Sequence, residues 1–266
     1  MLKGLVVTSL LAALTPEARQ ALFAKMKQSV VVLQSTTVSG ERIGNGTGWV
    51  LRGDGLVVTN HHVIEGKRRL SAVFADGRRV DVTGVLLSDE AHDLAVVRID
   101  AVGLAPLELG SSAALVEGTQ LFMAGNPLGL DFTFNEGVLT ALRPKGLPAD
   151  QGALKPADTQ PLLQLAIDAE PGSSGSPIVD AEGRVVGIER AGMGSADFAV
   201  PVDTLKALLT DDVLARESRP MRELPWWNLA ISAAVLVVIV LFLTGRLGAG
   251  AGRGARAQRR FGGYEE

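Results

Sequence analysis

The chain contains no cysteine. Disulfides, thiolate metal sites and cysteine nucleophiles are therefore excluded. It has three histidines, at positions 61, 62 and 92, and no H-E-x-x-H pattern, which leaves little material for a histidine-based zinc site. Aromatic residues are few, at 5%. Excess positive charge is missing too: 26 Lys and Arg face 29 Asp and Glu, a formal net charge of −3. A dedicated nucleic-acid binder is normally basic, so no nucleic-acid partner is expected. Internal repeats are also absent. What is present is 47% hydrophobic residues and 31 glycines in 266 positions. That length allows one large domain or two medium ones. Many glycines among short apolar runs favour strands and turns over long helices.

Both ends carry apolar segments. From Leu224 to Gly245 there are 22 residues without a charge. As a helix they would span roughly 33 Å, close to the ~30 Å of a bilayer core. Trp226 and Trp227 stand at the start, where interfacial aromatics belong. Five arginines and two glutamates after Gly245 make the tail +3. The positive-inside rule then places the tail in the cytoplasm and the main domain outside. At the other end, Lys3 precedes an apolar run from Gly4 to Leu14, the shape of a short signal segment without a good cleavage site. Cleavage, anchoring and packing on the domain all stay open for residues 1–14. Thr15-Pro16-Glu17 then reads as a helix cap, and a helix is predicted over 16–28.

Between the ends the pattern is β. Twelve short strands are expected: 29–35, 48–51, 56–59, 70–74, 79–87, 94–99, 120–124, 137–142, 162–167, 177–179, 184–188 and 198–200. Turn signals such as Gly53-Asp54-Gly55 and Glu182-Gly183 separate them. This is an all-β barrel or sandwich pattern. A closing helix is predicted over 201–214, and a Pro/Gly/Ala-rich loop over 144–161.

Three local patterns carry chemistry. Asn60-His61-His62 ends an apolar strand. Asp93 opens another. Pro171-Gly172-Ser173-Ser174-Gly175-Ser176-Pro177 is a small-residue turn before a third. Each alone is commonly just a turn. Their order is more telling. No histidine follows position 92 and no G-x-S-x-G exists, which excludes the α/β-hydrolase arrangement. The order His, Asp, Ser is that of the chymotrypsin-type triad.

Five motifs now resemble a known family. They are Gly46-Thr47-Gly48-Trp49-Val50 with Thr59-Asn60-His61-His62-Val63; Asp89 to Ile99; Gly125-Asn126-Pro127-Leu128-Gly129; Pro171 to Ile178; and Phe198-Ala199-Val200-Pro201. Together they resemble the HtrA/Deg group of trypsin-like serine proteases over about residues 17–210. The resemblance implies two antiparallel six-stranded β-barrels with a cleft between them. It implies His62, rather than His61, as general base, Asp93 as its orienting acid, and Ser174 as nucleophile. The amides of Gly172 and Ser174 would form the oxyanion hole. No metal or organic cofactor is called for. Protein or peptide substrates and a homotrimer are the partners that the resemblance implies, and Pro171–Ser174 is where family members often rest distorted.

There are departures. Ser173 and Ser176 replace the usual Asn and Gly. Asp168 lies six residues before Ser174, the offset of the acid that selects basic side chains in trypsin; a simple turn acid is the other reading. Phe132 and Phe134 fall where the family has an adaptable loop, or are lid or core aromatics. About a dozen residues separate the closing helix from the apolar span, too few for a PDZ domain. The expected plan is thus an N-terminal segment and helix (1–28), a protease domain (29–214), a linker (215–225), a transmembrane helix (226–245) and a basic cytoplasmic tail (246–266). The function expected is a membrane-anchored endopeptidase of the cell envelope, in protein quality control or signalling proteolysis, single-pass in the cytoplasmic membrane. Two alternatives are a protease-like peptide-binding module with little turnover and a self-cleaving envelope sensor.

Overall fold

The computed structural model describes residues 14–221 except 38, 40, 68, 127–131, 148–159 and 194–195, together with 235–237 and 239–240. Helix α1 (Pro16–Ser29) opens it, and Thr15 caps it by accepting the Ala18 amide. Six strands follow: β1 (Val30–Thr36), β2 (Arg42–Arg52), β3 (Leu56–Thr59), β4 (Leu70–Val73), β5 (Arg79–Asp89) and β6 (Leu94–Ile99). A single helical turn, α2 (His61–Ile64), sits between β3 and β4. The strands pair in the order β5-β4-β1-β2-β3-β6, and a β5–β6 pairing closes the ring.

The second ring begins after a two-residue strand, β7 (Glu108–Leu109). It comprises β8 (Gln120–Gly125), β9 (Thr133–Arg143), β10 (Leu162–Ala166), β11 (Pro177–Val179), β12 (Arg184–Met193) and β13 (Ala196–Pro201). The order β11-β8-β9-β10-β13-β12 closes through β11–β12. These are two six-stranded antiparallel barrels in the chymotrypsin-like arrangement. Two short additions were not expected. β7 pairs parallel with β12, and β14 (Arg219–Pro220) pairs with β5, so each ring gains a two-residue edge.

The continuous apolar runs have a specific cause. Side chains alternate across a strand, and here both faces are covered. Val31, Leu33, Val57, Ala95 and Val97 fill the first barrel. Leu121, Met123, Leu163, Leu165 and Val186 fill the second. Their neighbours, among them Val30, Trp49, Val58, Val96, Phe122 and Val185, face a third core that the barrels share. Strands such as Leu56–Thr59 are therefore buried at every position, which is why they lack polar alternation.

Residues 201–214 are not one helix. They form α3 (Val202–Leu208) and α4 (Asp211–Leu214). Thr210 accepts the Val213 amide and caps the second, and Asp211 and Asp212 suit that N-terminal turn. Several predicted strands are longer than expected: β2, β5, β9 and β12 run ten or eleven residues, because barrel closure pairs polar flanks that hydropathy does not mark. The apolar segments 1–13 and 224–245 lie outside the described residues, apart from helical positions 235–237 and 239–240. Most of the 144–161 stretch also lies outside them. Among the described residues no helix is long and apolar enough to cross a membrane.

Gly137 on β9 is a close-approach position. A Cβ there would lie 1.9 Å from the Ala166 carbonyl oxygen on β10. Gly137→Ala must push the two strands apart, so thermal melts are expected to show a loss of about 1–3 kcal/mol; an unchanged melting temperature would contradict this packing.

Candidate active site

The first half of the site follows from the end of β3. Buried Thr59 terminates the strand, and Asn60 turns the chain into α2. Asn60 Nδ2 donates to the Asp93 carbonyl at 2.9 Å and ties that turn to the start of β6. Asp93 itself has φ +54, the left-handed region that Asp tolerates better than most residues. This conformation aims its carboxylate back at α2. Oδ1 accepts the His62 amide at 3.0 Å, and Oδ2 accepts His62 Nδ1 at 2.8 Å. The acid therefore grips the histidine at both backbone and ring. Burial works against the Asp93 charge, yet the His62 bonds and the nearby Arg190 guanidinium hold its carboxyl below the ordinary carboxylate range. His61 is turned away, with Nδ1 2.8 Å from Ser88 Oγ, and His92 bonds to Asp89.

The second half is the 171–176 turn of the other barrel. Gly172 and Gly175 have φ +105 and +89, a pair of left-handed residues that suits a tight turn. Thr47 of β2 fastens it across the interface. Its amide donates to the Ser174 carbonyl, and its Oγ1 donates to the Gly172 carbonyl, both at 2.8 Å. Its Oγ1 also accepts the Asn126 amide, and its carbonyl accepts Thr59 Oγ1. A Cβ on Gly175 would stand 2.2 Å from that Thr47 carbonyl oxygen. Ser174 and His62 line one cleft cavity of about 100 Å³, with Asn45 and Lys67. Ser174 Oγ donates to the Arg190 carbonyl at 3.4 Å. No hydrogen bond joins it to His62 among the described residues. The amides of Gly172 and Ser174 carry no hydrogen bond there either.

Carboxylates gather behind the turn. Asp168 is exposed, and its carbonyl accepts Asn135 Nδ2. Its charge, with that of Glu170, raises Asp197, where burial is the larger cause. Glu189 on β12 is 2% exposed, and its Oε2 has no hydrogen-bond partner among the described residues. Burial, and then Asp197 and Asp93, push its carboxyl up to about 8. No group of three His, Asp or Glu side chains could hold a metal ion among the described residues.

Arg190 at the site escaped sequence reasoning, whereas Thr47 and Asn60 stood in the motifs without an assigned role. Thr47 had a signal, since flanking Gly46 and Gly48 mark close approach; a Cβ on Gly46 would meet Val63 at 2.6 Å. Arg190 had none, because its partner Asp93 is remote in sequence.

Comparison with known proteins identifies the family and the fold. The trypsin-like peptidase domain profile matches residues 46–188, more than half of the chain. The chain is 36% identical over 187 residues to chloroplastic Protease Do-like 1 of Arabidopsis thaliana, covering 67% of this chain and 41% of that protein. It is 32% identical over 171 residues to a probable periplasmic DegP-like serine endoprotease of Halomonas elongata, covering 62% and 34%. Among solved structures, the HtrA-type protease AlgW with a tripeptide superposes with a TM-score of 0.61 at 26% identity, over 71% of this chain and 62% of that one. The chain thus spans less than half the length of these curated relatives.

Two outcomes follow from the site. Thr47→Val leaves the Gly172 carbonyl and the Asn126 amide unpaired, and is expected to cost about 2–4 kcal/mol in denaturant unfolding. Glu189 ordinarily ionises near 4.5 when unfolded but holds its proton in the fold to about 8. The unfolded chain therefore binds fewer protons between those values, and stability falls as pH rises through that window. Glu189→Gln should raise the melting temperature at pH 8 and leave it unchanged near pH 4.5; parallel curves for both proteins would refute this.

Proposed function

This chain belongs to the trypsin-like peptidase family, and on that premise we propose that it is a serine endopeptidase of the HtrA/Deg type. The observation that carries the reading is the two-point grip of Asp93 on His62, set in one cleft with Ser174. In this mechanism Ser174 Oγ rotates from the Arg190 carbonyl to His62 Nε2. His62 takes its proton as the oxygen attacks the scissile carbonyl, and Asp93 stabilises the imidazolium that forms. The amides of Gly172 and Ser174 donate to the developing oxyanion, a role for which their lack of other partners suits them. His62 returns the proton to the leaving amine, and water then hydrolyses the acyl-enzyme by the same route. Asp168, exposed six residues before Ser174, would favour a basic side chain before the scissile bond if it lines that subsite; as a simple turn acid it would not.

The finer reading is a membrane-anchored enzyme. The uncharged run 224–245 would be the anchor, and the +3 tail after it would stay in the cytoplasm. The protease domain would then work on the outer face, in protein quality control or signalling proteolysis; the periplasmic naming of DegP-like relatives supports that side. Assembly as a homotrimer rests on the family resemblance. The Ser174–Arg190 bond favours one other reading, a peptide-binding module with little turnover.

Fluorophosphonate labelling of the detergent-solubilised full chain tests the choice. Labelling is expected in the wild type, abolished by Ser174→Ala, and slowed in His62→Ala on the order of 10⁶-fold, the cost of losing a triad base. A wild type that stays unlabelled even with added unfolded protein would overturn the endopeptidase reading in favour of the binding module.

A further inference from the structure

Arg190 touches two members of the triad at once. Its backbone carbonyl accepts Ser174 Oγ. Its guanidinium Nε lies 3.3 Å from Asp93 Oδ2, the same oxygen that accepts His62 Nδ1 at 2.8 Å. The Arg190 and Asp93 side chains are each only 12% exposed. A guanidinium so buried persists only against a carboxylate. Nothing in the triad chemistry itself calls for a permanent cation at this point. It opposes the formation of a second cation, the imidazolium, on the far side of the same carboxylate.

We propose that Arg190 is a positioning residue that holds the Asp93 carboxylate and divides its charge with His62, thereby setting the pH range in which the His62–Ser174 pair works. The proposal rests on the endopeptidase reading above. Two effects follow from the geometry. With Oδ1 held by the His62 amide and Oδ2 shared, the carboxylate cannot rotate away from the ring. The fixed positive charge beside the shared oxygen also opposes a second cation on the ring, an effect that its removal would relieve. The other charged groups nearby do not take over this role. Glu189 on β12 is buried and raised, with the Asp93 charge among the causes. Asp197 on β13 acts on Glu189. Lys67, after α2, lines the cleft beside His62 and Ser174. His61 is occupied by Ser88, with Glu65 4.0 Å from its ring. Arg190 is the cation in contact with the acid.

The test compares wild type, Arg190→Met, Arg190→Gln and Arg190→Lys as full chains, each checked for folding by thermal melt. The first readout is the pH dependence of fluorophosphonate labelling. Removing the charge in the Met and Gln variants should move the acid limb up by about one pH unit, while Lys keeps it near the wild-type position. Gln retains an N–H donor, so it separates charge from simple packing, and it stands in if the Met variant fails to fold. The second readout is the low-field proton resonance of His62 Nδ1–H, identified by its loss in His62→Gln. With Oδ2 no longer shared with a cation, it should move downfield in the Met and Gln variants. An acid limb and a resonance unchanged in a folded neutral variant would overturn the proposal, as would equal shifts in Lys and Gln. A wild type that neither labels nor cleaves would defeat the endopeptidase reading alone, because the proton resonance still decides the role of Arg190.

Discussion

The site depends on Thr47 reaching from one barrel into the turn of the other. A triad split between two barrels is only as well aligned as their interface. Shared apolar packing around Trp49, Phe122 and Val185 brings the barrels together, but the hydrophobic effect is not directional. Thr47 supplies the direction. Through its amide and hydroxyl it holds the carbonyls on both sides of Ser173, and through its own carbonyl it is held by Thr59, one residue before the histidine segment. One strand residue thus links the end of β3 that leads to His62 with the turn that carries Ser174. The glycine at 175 follows from the same contact, since no side chain fits beneath the Thr47 carbonyl.

Charge is the second organising constraint. The charges of Asp197 and Asp93 both act on buried Glu189. Such a cluster cannot be fully ionised in a poorly solvated place. The protein resolves this unevenly. Asp93 keeps its charge because His62 and Arg190 face it. Glu189, with an unpartnered oxygen, gives up its charge over much of the ordinary pH range. Two carboxyls near one another are thereby pushed to opposite states, an arrangement common where chemistry is done. A buried group that costs stability at higher pH is tolerated next to one that supports the reaction.

Ser174 and the Asp93–His62 pair are held separately in this structure. Ser174 Oγ is held by the Arg190 carbonyl, on β12. The Asp93–His62 unit is complete without it. Bringing Ser174 Oγ to His62 would therefore take a side-chain rotation at the turn rather than assembly of the Asp93–His62 pair. The aromatic contacts of Phe134 with Phe23 of α1 and Phe122 of β8, at 4.9 and 5.8 Å, show that the neighbouring segment is packed on the shared core rather than free in the cleft.

Much of this was legible in order and composition. The chain order of His62, Asp93 and Ser174 needs no coordinates, because covalent sequence is all that distinguishes it from the α/β-hydrolase order. Strand positions such as Leu56–Thr59 and Leu94–Ile99 were legible because burial on both faces leaves unbroken apolar runs. The polar extensions of β2, β9 and β12, the edge strands β7 and β14, and the break at Leu209 were not, since backbone pairing and local capping decided them. Nor was the choice of partners. The sequence by itself determined which residue types could do chemistry and which class of barrel would carry them. Only the tertiary structure decided that Thr47 fastens the turn, that Arg190 shares Asp93 with His62, and that Glu189 is buried with one carboxyl oxygen unpaired among the described residues. Those contacts join residues tens to more than a hundred positions apart, and an ion pair or hydrogen bond acts over a few ångströms of space whatever the length of chain between its ends.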